Sequence, residues 1–185
     1  MAPTSVLAIA GVLIWAGYEL LLRHRADPAA ASWRGGRADA GSTLLLLAAF
    51  AAAVAVNLLL TGALPAWARW AGIGLLAAGL LLRGWGMRTL GRYYTRTLRT
   101  ARDQELVTRG PYRLIRHPGY AGSLLVWAGY SLGLGNGLAA VVVTALLTAL
   151  YARRITAEER MLLAAFGEEY AAYRRRTWRL VPYLY

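Results

Sequence analysis

The sequence predicts an all-α integral membrane protein with five transmembrane helices. Hydrophobic residues make up 58% of the 185 residues, and the charged residues cluster between long apolar stretches. This composition is typical of membrane proteins rather than soluble domains. The chain contains no cysteine, which excludes disulfides, thiolate metal sites and a cysteine nucleophile.

The first predicted span is residues 3–22, charged only at Glu19. About 20 apolar residues suffice to cross a hydrocarbon core of about 30 Å. Arg23, His24 and Arg25 follow this stretch, where a signal peptide would carry a small-residue cleavage site. We therefore expect a membrane helix, followed by a polar loop that ends near residue 42.

The second and third spans are residues 43–62 and about 66–85, joined by a short turn at Leu64 and Pro65. Proline suits such a turn because it fixes its own backbone and cannot donate a hydrogen bond. A long arginine-rich loop is predicted over residues 86–116.

An uncharged stretch over residues 118–152 is too long for one crossing. Gly133, Gly135, Asn136 and Gly137 divide it into two halves of about 17 residues each. We predict a helical hairpin that supplies spans four and five.

Charge placement predicts the orientation of these spans. Every arginine except Arg69 lies in residues 23–42, in residues 83–117 or in the tail from Arg153 onward. The positive-inside rule makes that side cytoplasmic and places the N-terminus outside. The composition indicates a bacterial inner membrane protein, and anionic lipid headgroups rather than nucleic acid are the expected counter-charge for the net charge of +12.

The tail after span five has the periodicity of an amphipathic helix, either lying on the membrane surface or packed on the loop 86–116. Its apolar positions are Met161, Leu162, Phe166, Tyr170 and Tyr173. Thr156 and Glu159 fit a capping box at its start, unless Thr156 belongs to a continuation of span five.

Two polar blocks bracket the hairpin and carry the candidate chemistry. His117 and Pro118 stand where span four begins, and the free amides of a helix start attract carboxylate or phosphate. Arg113 and Arg116 strengthen this preference, although an arginine collar at the membrane surface would have the same sequence.

Arg154 and Glu158 lie four residues apart and therefore share one face of a helix. They form either an ordinary ion pair or a site that offers a cation to one ligand and an anion to another. Nearby aromatic residues suit either an interfacial belt or surfaces on which an adenine ring stacks. They are Tyr112, Tyr120, Tyr170, Tyr173 and Trp178. His24 and His117 are too few for a metal site.

Several ordered motifs then carry a family resemblance. LVTRGPYRLIRHPGYAG, the hairpin, RITAEE, FGEEYAAY and a closing Arg179-x-x-Pro182 together resemble the isoprenylcysteine carboxyl methyltransferase family and its phospholipid methyltransferase relatives. The resemblance covers about residues 104–182. It implies a methyltransferase region, to which we assign residues 86–185 after the three predicted spans in residues 1–85. It also implies S-adenosylmethionine as cofactor and S-adenosylhomocysteine as product.

The resemblance also implies roles for individual residues. Arg154 would orient the methyl acceptor, and Glu158 would bind the cofactor ammonium. The other implied cofactor-binding residues are Gln104, Glu105, Leu106, Val107, Tyr112, His117, Pro118, Gly119 and Tyr120.

Three functions are compatible with these observations. The first is methyl transfer to a carboxylate or thiol head of an amphiphilic acceptor, and the second is N-methylation of ethanolamine phospholipids. The third is a non-catalytic protein whose arginine collar binds anionic lipids. The sequence leaves the oligomeric state and the identity of the acceptor open.

Overall fold

The structure, a computed structural model, describes residues 1–21, 42–60, 62–91 and 105–183. These ranges contain five α-helices and no β-strand, which confirms the all-α fold. The helices are α1 (Pro3–Leu21), α2 (Ser42–Leu59), α3 (Ala66–Leu90), α4 (Pro118–Gly133) and α5 (Gly137–Arg175), and a 3₁₀ turn at Gly110–Arg113 precedes α4. Among the described helices, α3 and α5 are long and apolar enough to cross a membrane, and shorter apolar stretches occupy Pro3–Tyr18 and Leu44–Leu59.

Two helices extend beyond the predicted boundaries. Helix α3 continues to Leu90, so its last turn lies in the region predicted to be loop. Helix α5 runs from the hairpin to Arg175, so the tail helix is its continuation. The Thr156 hydroxyl donates to the Ala152 carbonyl 2.9 Å away inside this helix, and the capping-box interpretation is therefore wrong.

A break at Gly167 separates the last part of α5 from the rest. Its φ of 54° and ψ of −127° are non-helical, and its positive φ favours a residue without a Cβ. The predicted loop over residues 23–42 lies almost entirely outside the described residues, as do residues 92–104 of the loop after α3.

Helices α3 and α4 pack backbone against backbone through glycines spaced seven residues apart. A Cβ added to Gly122 would lie 2.7 Å from the Gly79 carbonyl oxygen, and one added to Gly129 would lie 2.5 Å from that of Gly72. These separations leave no room for a side chain, so glycine is required by the close approach of the two helices. This contact fixes α4, and with it the candidate site at its N-terminus, against α3.

Aromatic rings fill the space between α1, α2 and α4. Trp15 lies edge-on to Phe50 and to Trp127, with ring centroids 4.7 Å and 5.5 Å away, and Phe50 stacks on Trp127 at 5.3 Å. Both tryptophans are buried. These contacts fix the first two helices to the hairpin.

The predicted uncharged turns meet at one end of the bundle. The Leu64 amide donates to the Gly135 carbonyl at 3.1 Å, and the Asn136 side-chain amide donates to the Leu60 carbonyl at 2.5 Å. At the same end, Arg69 of α3 donates to the hydroxyl of Ser5 near the start of α1, at 2.9 Å. Residues 110–117 and the end of α5 therefore lie at the opposite end, where the candidate site is.

Candidate active site

The segment before α4 pairs with the residues that follow α5. We call residues Thr177–Leu180 the C-terminal strap. Its Trp178 amide donates to the Leu114 carbonyl at 3.0 Å, while the Arg116 and His117 amides donate to the Trp178 and Arg179 carbonyls at 2.7 Å and 3.1 Å. These bonds form a short parallel pairing that holds the chain at the point where α4 begins.

A tyrosine hydroxyl links the two charged residues predicted to share a face of α5. Arg154 Nε donates to the Tyr120 hydroxyl at 3.0 Å, and that hydroxyl donates to Glu158 Oε2 at 2.8 Å. Arg154 is buried, and the Tyr120 ring stacks on Tyr151 with centroids 4.9 Å apart. The structure therefore brings a buried cation and a carboxylate together at the first turn of α4.

His117 lies between two carboxylates. Its Nδ1 is 3.8 Å from Glu158 Oε2, and its Nε2 is 3.4 Å from Glu159 Oε1. The imidazole is buried and stacks on the Tyr120 ring at a centroid distance of 5.7 Å. His117 is thus the residue that connects the Tyr120 contacts to those of Glu159.

Glu159 is the centre of a buried charge cluster. Its side chain is 3% exposed, and its oxygens lie 2.8 Å from Arg116 Nε, 3.0 Å from Arg179 Nη2 and 3.8 Å from Arg174 Nη2. Burial by itself would raise the pKa of Glu159, but the nearby His117 imidazole and the hydrogen bond and charge of Arg116 lower it to about 2. The carboxylate therefore stays ionised throughout the physiological pH range.

Arg116 also binds the end of α5. Its Nη1 donates to the Arg174 carbonyl at 3.2 Å and to the Thr177 carbonyl. The last carbonyls of a helix, such as that of Arg174, have no partner within the helix, and a cation near a helix C-terminus is favourable. The Tyr173 hydroxyl, whose pKa is raised by burial, donates to the Tyr112 carbonyl at 2.8 Å. These bonds connect the end of α5 to the segment that leads into α4.

A buried arginine of α3 supports the first turn of α4. Arg83 Nη1 donates to the Gly119 carbonyl and to the Ser123 hydroxyl, both at 2.8 Å. Its guanidinium carbon lies 5.7 Å from the centroid of the Trp15 ring. The sequence analysis did not single out this residue. Its position at the end of an apolar span was a usable signal, since such an arginine commonly has a functional or structural partner.

The remaining residues implied by the family resemblance lie in different surroundings. Tyr112 and Pro118 are buried, Glu105 is exposed, and Leu106 and Val107 are half-buried in a non-helical stretch. Gln104 lies outside the described residues. The structure thus brings together Arg154, Tyr120, Glu158 and His117.

Most of the candidate belt aromatics lie inside the protein. Tyr112, Tyr170 and Tyr173 are buried and Tyr120 is half-buried, whereas Trp178 is exposed. Residues of an interfacial belt face lipid, so the belt interpretation is wrong for the three buried tyrosines.

The sequence model of the isoprenylcysteine carboxyl methyltransferase (ICMT) family matches residues 72–164. That range holds the glycine contact of α3 and α4, His117, Arg154 and both glutamates of the site. The chain belongs to the ICMT family. It is therefore an integral-membrane methyltransferase, which excludes the non-catalytic alternative.

Two individual relatives cover most of this chain. The chain is 32% identical to a probable protein-S-isoprenylcysteine O-methyltransferase of Oryza sativa, over 96% of this chain and 95% of the relative. It is 37% identical to the cobalt-zinc-cadmium resistance protein CzcN of Cupriavidus metallidurans, over 71% of this chain and 62% of that protein.

A solved structure of the eukaryotic intramembrane Ras methyltransferase ICMT matches with a TM-score of 0.61 and 29% identity. The match covers 64% of this chain and 43% of the other. The ICMT fold is thus shared over the larger part of this chain, while more than half of the eukaryotic protein has no counterpart in the match.

Proposed function

We propose that this ICMT-family protein uses S-adenosylmethionine to methylate the carboxylate or thiol head of an amphiphilic acceptor. The observation that supports this best is the linked set Arg154, Tyr120 and Glu158, which presents a cation and a carboxylate beside each other. The cofactor requires an anionic partner for its ammonium, and an ionised acceptor requires a cation. One site offers both.

The chemistry of Glu158 fits the cofactor. Its side chain is 27% exposed, against 3% for Glu159. The Tyr120 hydroxyl donates its hydrogen bond to Oε2 of Glu158, and we assign Oε1 to the ammonium group of the cofactor. A charge-assisted hydrogen bond of this kind is stronger than a neutral one.

Other parts of the cofactor have matching groups nearby. His117 and the Gly119 amide in the first turn of α4 suit its carboxylate. Arg116 is assigned elsewhere, since it binds Glu159 and the end of α5.

The family resemblance suggests Tyr112, Tyr120 and Leu106 as neighbours of the adenine ring. Of these, Leu106 is half-buried, and Tyr120 already stacks on His117 and Tyr151. When bound, the cofactor supplies an electrophilic methyl group on its sulfonium.

The acceptor side of the proposal rests on Arg154. A carboxylate acceptor is already ionised at neutral pH, so the site needs to orient it and exclude water rather than remove a proton. The buried Arg154 supplies the cation for orientation, and it donates to the hydroxyl of Tyr120, whose ring stacks on Tyr151. The O-methyltransferase named among the relatives supports a carboxylate as the acceptor group.

We further propose five membrane spans, with the N-terminus outside and the site at the cytoplasmic face of a bacterial inner membrane. Support comes from the grouping of the uncharged turns and the N-terminus at one end of the bundle. The arginines of the site lie at the other end, as the positive-inside rule requires.

Calorimetry on the purified protein tests the cofactor proposal. Saturable binding of S-adenosylhomocysteine at micromolar concentration is expected, and no binding at physiological concentration would overturn it. Transfer of a labelled methyl group into host membranes then identifies the acceptor class. Label in base-labile methyl esters supports a carboxylate, whereas label in ethanolamine lipids would show N-methylation instead.

A further inference from the structure

We propose that Glu159 of α5 and Arg179 of the C-terminal strap are positioning residues that act together on His117. The inference rests on the proposed function, because the ligand that His117 serves is the cofactor of that proposal. The strap lies beyond the range matched by the family model, which ends at residue 164.

Arg179 contacts the surroundings of His117 in two ways. Its carbonyl accepts the His117 amide at 3.1 Å, and its guanidinium binds Glu159 Oε2 through Nη2 at 3.0 Å and Nε at 3.2 Å. Glu159 Oε1 in turn lies 3.4 Å from His117 Nε2. Arg179 therefore holds the backbone amide of His117 directly, and it binds the carboxylate that lies 3.4 Å from the imidazole Nε2.

Burial makes this arrangement sensitive to charge. The His117 and Glu159 side chains are each 3% exposed, and that of Arg179 is 26% exposed. A desolvated charge is costly to leave without a partner. We therefore expect the Glu159 carboxylate, after it loses one cation, to shift toward the cations that remain. Without Arg179, the close cationic partner of Glu159 is Arg116, which binds Oε1. The same oxygen faces His117 Nε2, so a shift of the carboxylate changes its contact with the imidazole.

Glu159 acts indirectly, in contrast to Glu158. Consecutive helical residues point about 100° apart. Glu158 faces the Tyr120 hydroxyl and is partly exposed, whereas Glu159 faces the strap and is buried. Glu159 therefore reaches a ligand only through the residues that it holds in place, and supporting contacts of this kind fix binding groups in their productive geometry.

The test compares S-adenosylhomocysteine binding by the full chain and five variants in the same detergent. For Arg179→Gln we expect the Kd to rise by roughly tenfold, the scale of one lost charge-assisted hydrogen bond. Arg179→Lys should recover much of that loss because a cation returns near Glu159. Arg176→Gln is the matched control, since Arg176 is exposed one residue before the strap, and it should bind like the parent.

Glu159→Gln is the second arm, with Glu168→Gln as its control because Glu168 pairs with Arg175 at the exposed surface. Thermal unfolding of every variant identifies a temperature at which all are folded, and binding is measured there. At saturating cofactor, Arg179→Gln should keep the parental KM for the acceptor, which separates positioning of the cofactor site from a general loss of structure.

The outcomes separate this inference from the proposed function. If the parent does not bind S-adenosylhomocysteine, the proposed function fails. If the parent binds and Arg179→Gln binds equally well, the positioning role is overturned. It is also overturned if the Kd and the acceptor KM change in parallel, or if Arg179→Lys is as weak as Arg179→Gln.

Discussion

Glu158 and Glu159 are consecutive residues with different partners. Glu158 accepts a hydrogen bond from the Tyr120 hydroxyl at 2.8 Å, and Glu159 accepts one from Arg116 Nε at 2.8 Å. The first carboxylate is partly exposed and the second is buried beneath the strap. One helix thus supplies a candidate ligand-binding group and a structural anchor from adjacent positions.

Replacing Glu158 with alanine should weaken cofactor binding. The variant removes the carboxylate that we assign to the cofactor ammonium, and we expect the Kd for S-adenosylhomocysteine to rise by about ten- to a hundredfold. Calorimetry measures this directly. Glu168→Ala, on the exposed surface of the same helix, is the control, and equal Kd values for the two variants would rule out the assigned role of Glu158.

Replacing Arg154 with alanine should chiefly impair the acceptor half of the reaction. The buried guanidinium is the cation proposed to orient the acceptor, so kcat/KM for the acceptor should fall by at least tenfold, with a smaller change in cofactor Kd. The exposed neighbour Arg153 provides a matched control. Turnover unchanged in Arg154→Ala would contradict the assignment.

Acid should destabilise the protein through Glu159. Its pKa is about 2 in the folded chain against an ordinary value of 4.5, so the folded state binds fewer protons than the unfolded state in this interval. The stabilisation is fully present above about pH 5 and is lost as pH falls toward 2, with a total of about 3 kcal/mol. Arg116, Arg174, Arg179 and His117 face this carboxylate.

Thermal unfolding between pH 6 and pH 3 measures this effect. The Glu159→Gln variant should be less stable than the parent at pH 6 and should lose less stability on acidification. Parallel curves for the two proteins would show that Glu159 is not the titrating group.

A methyl group at the α3–α4 contact should destabilise the bundle. The Cβ of Gly122→Ala would lie 2.7 Å from the Gly79 carbonyl oxygen, so the helices must separate, at a cost of roughly 1–3 kcal/mol. Gly74→Ala is the matched control because nothing lies within 4 Å of its added Cβ. The unfolding temperature should fall for the first variant alone.

The proposed orientation can be tested by labelling single cysteines, since the parent has none. Ala63 lies in the turn before α3 and Arg176 follows α5, and both residues are exposed. In intact cells a membrane-impermeant maleimide should label Ala63→Cys, and it should label Arg176→Cys only after the membrane is broken. The reverse pattern would invert the topology.

Local sequence signals located most of the helix boundaries. Pro118 at the first helical position and the glycine-rich turn ending at Gly137 mark the helical hairpin where the structure has it. These signals act within a few residues of chain, so no knowledge of the packing was needed. The capping box predicted at Thr156 was wrong for the same reason. Its short sequence pattern also occurs inside a continuous helix, as it does here.

The contacts around Glu159 could not be predicted from local sequence signals. Arg116, Glu159 and Arg179 belong to three separate segments, and each is surrounded in sequence by other arginines or glutamates. Which cation meets which carboxylate depends on the rotation of α5 and on the pairing of the strap with Leu114 to His117.

The sequence by itself determined an all-α chain, the positions of its apolar helices, the family motifs and the residues that could carry methyl-transfer chemistry. Composition and short-range periodicity are sufficient for these properties because a membrane helix satisfies its own backbone hydrogen bonds. The tertiary structure decided that Tyr120 joins Arg154 to Glu158 and that Glu159 binds the strap. These contacts depend on the close approach of α3 and α4 at their glycines and on the return of α5 to the start of α4. Both bring together parts of the chain that are distant in sequence, so short-range patterns do not predict them.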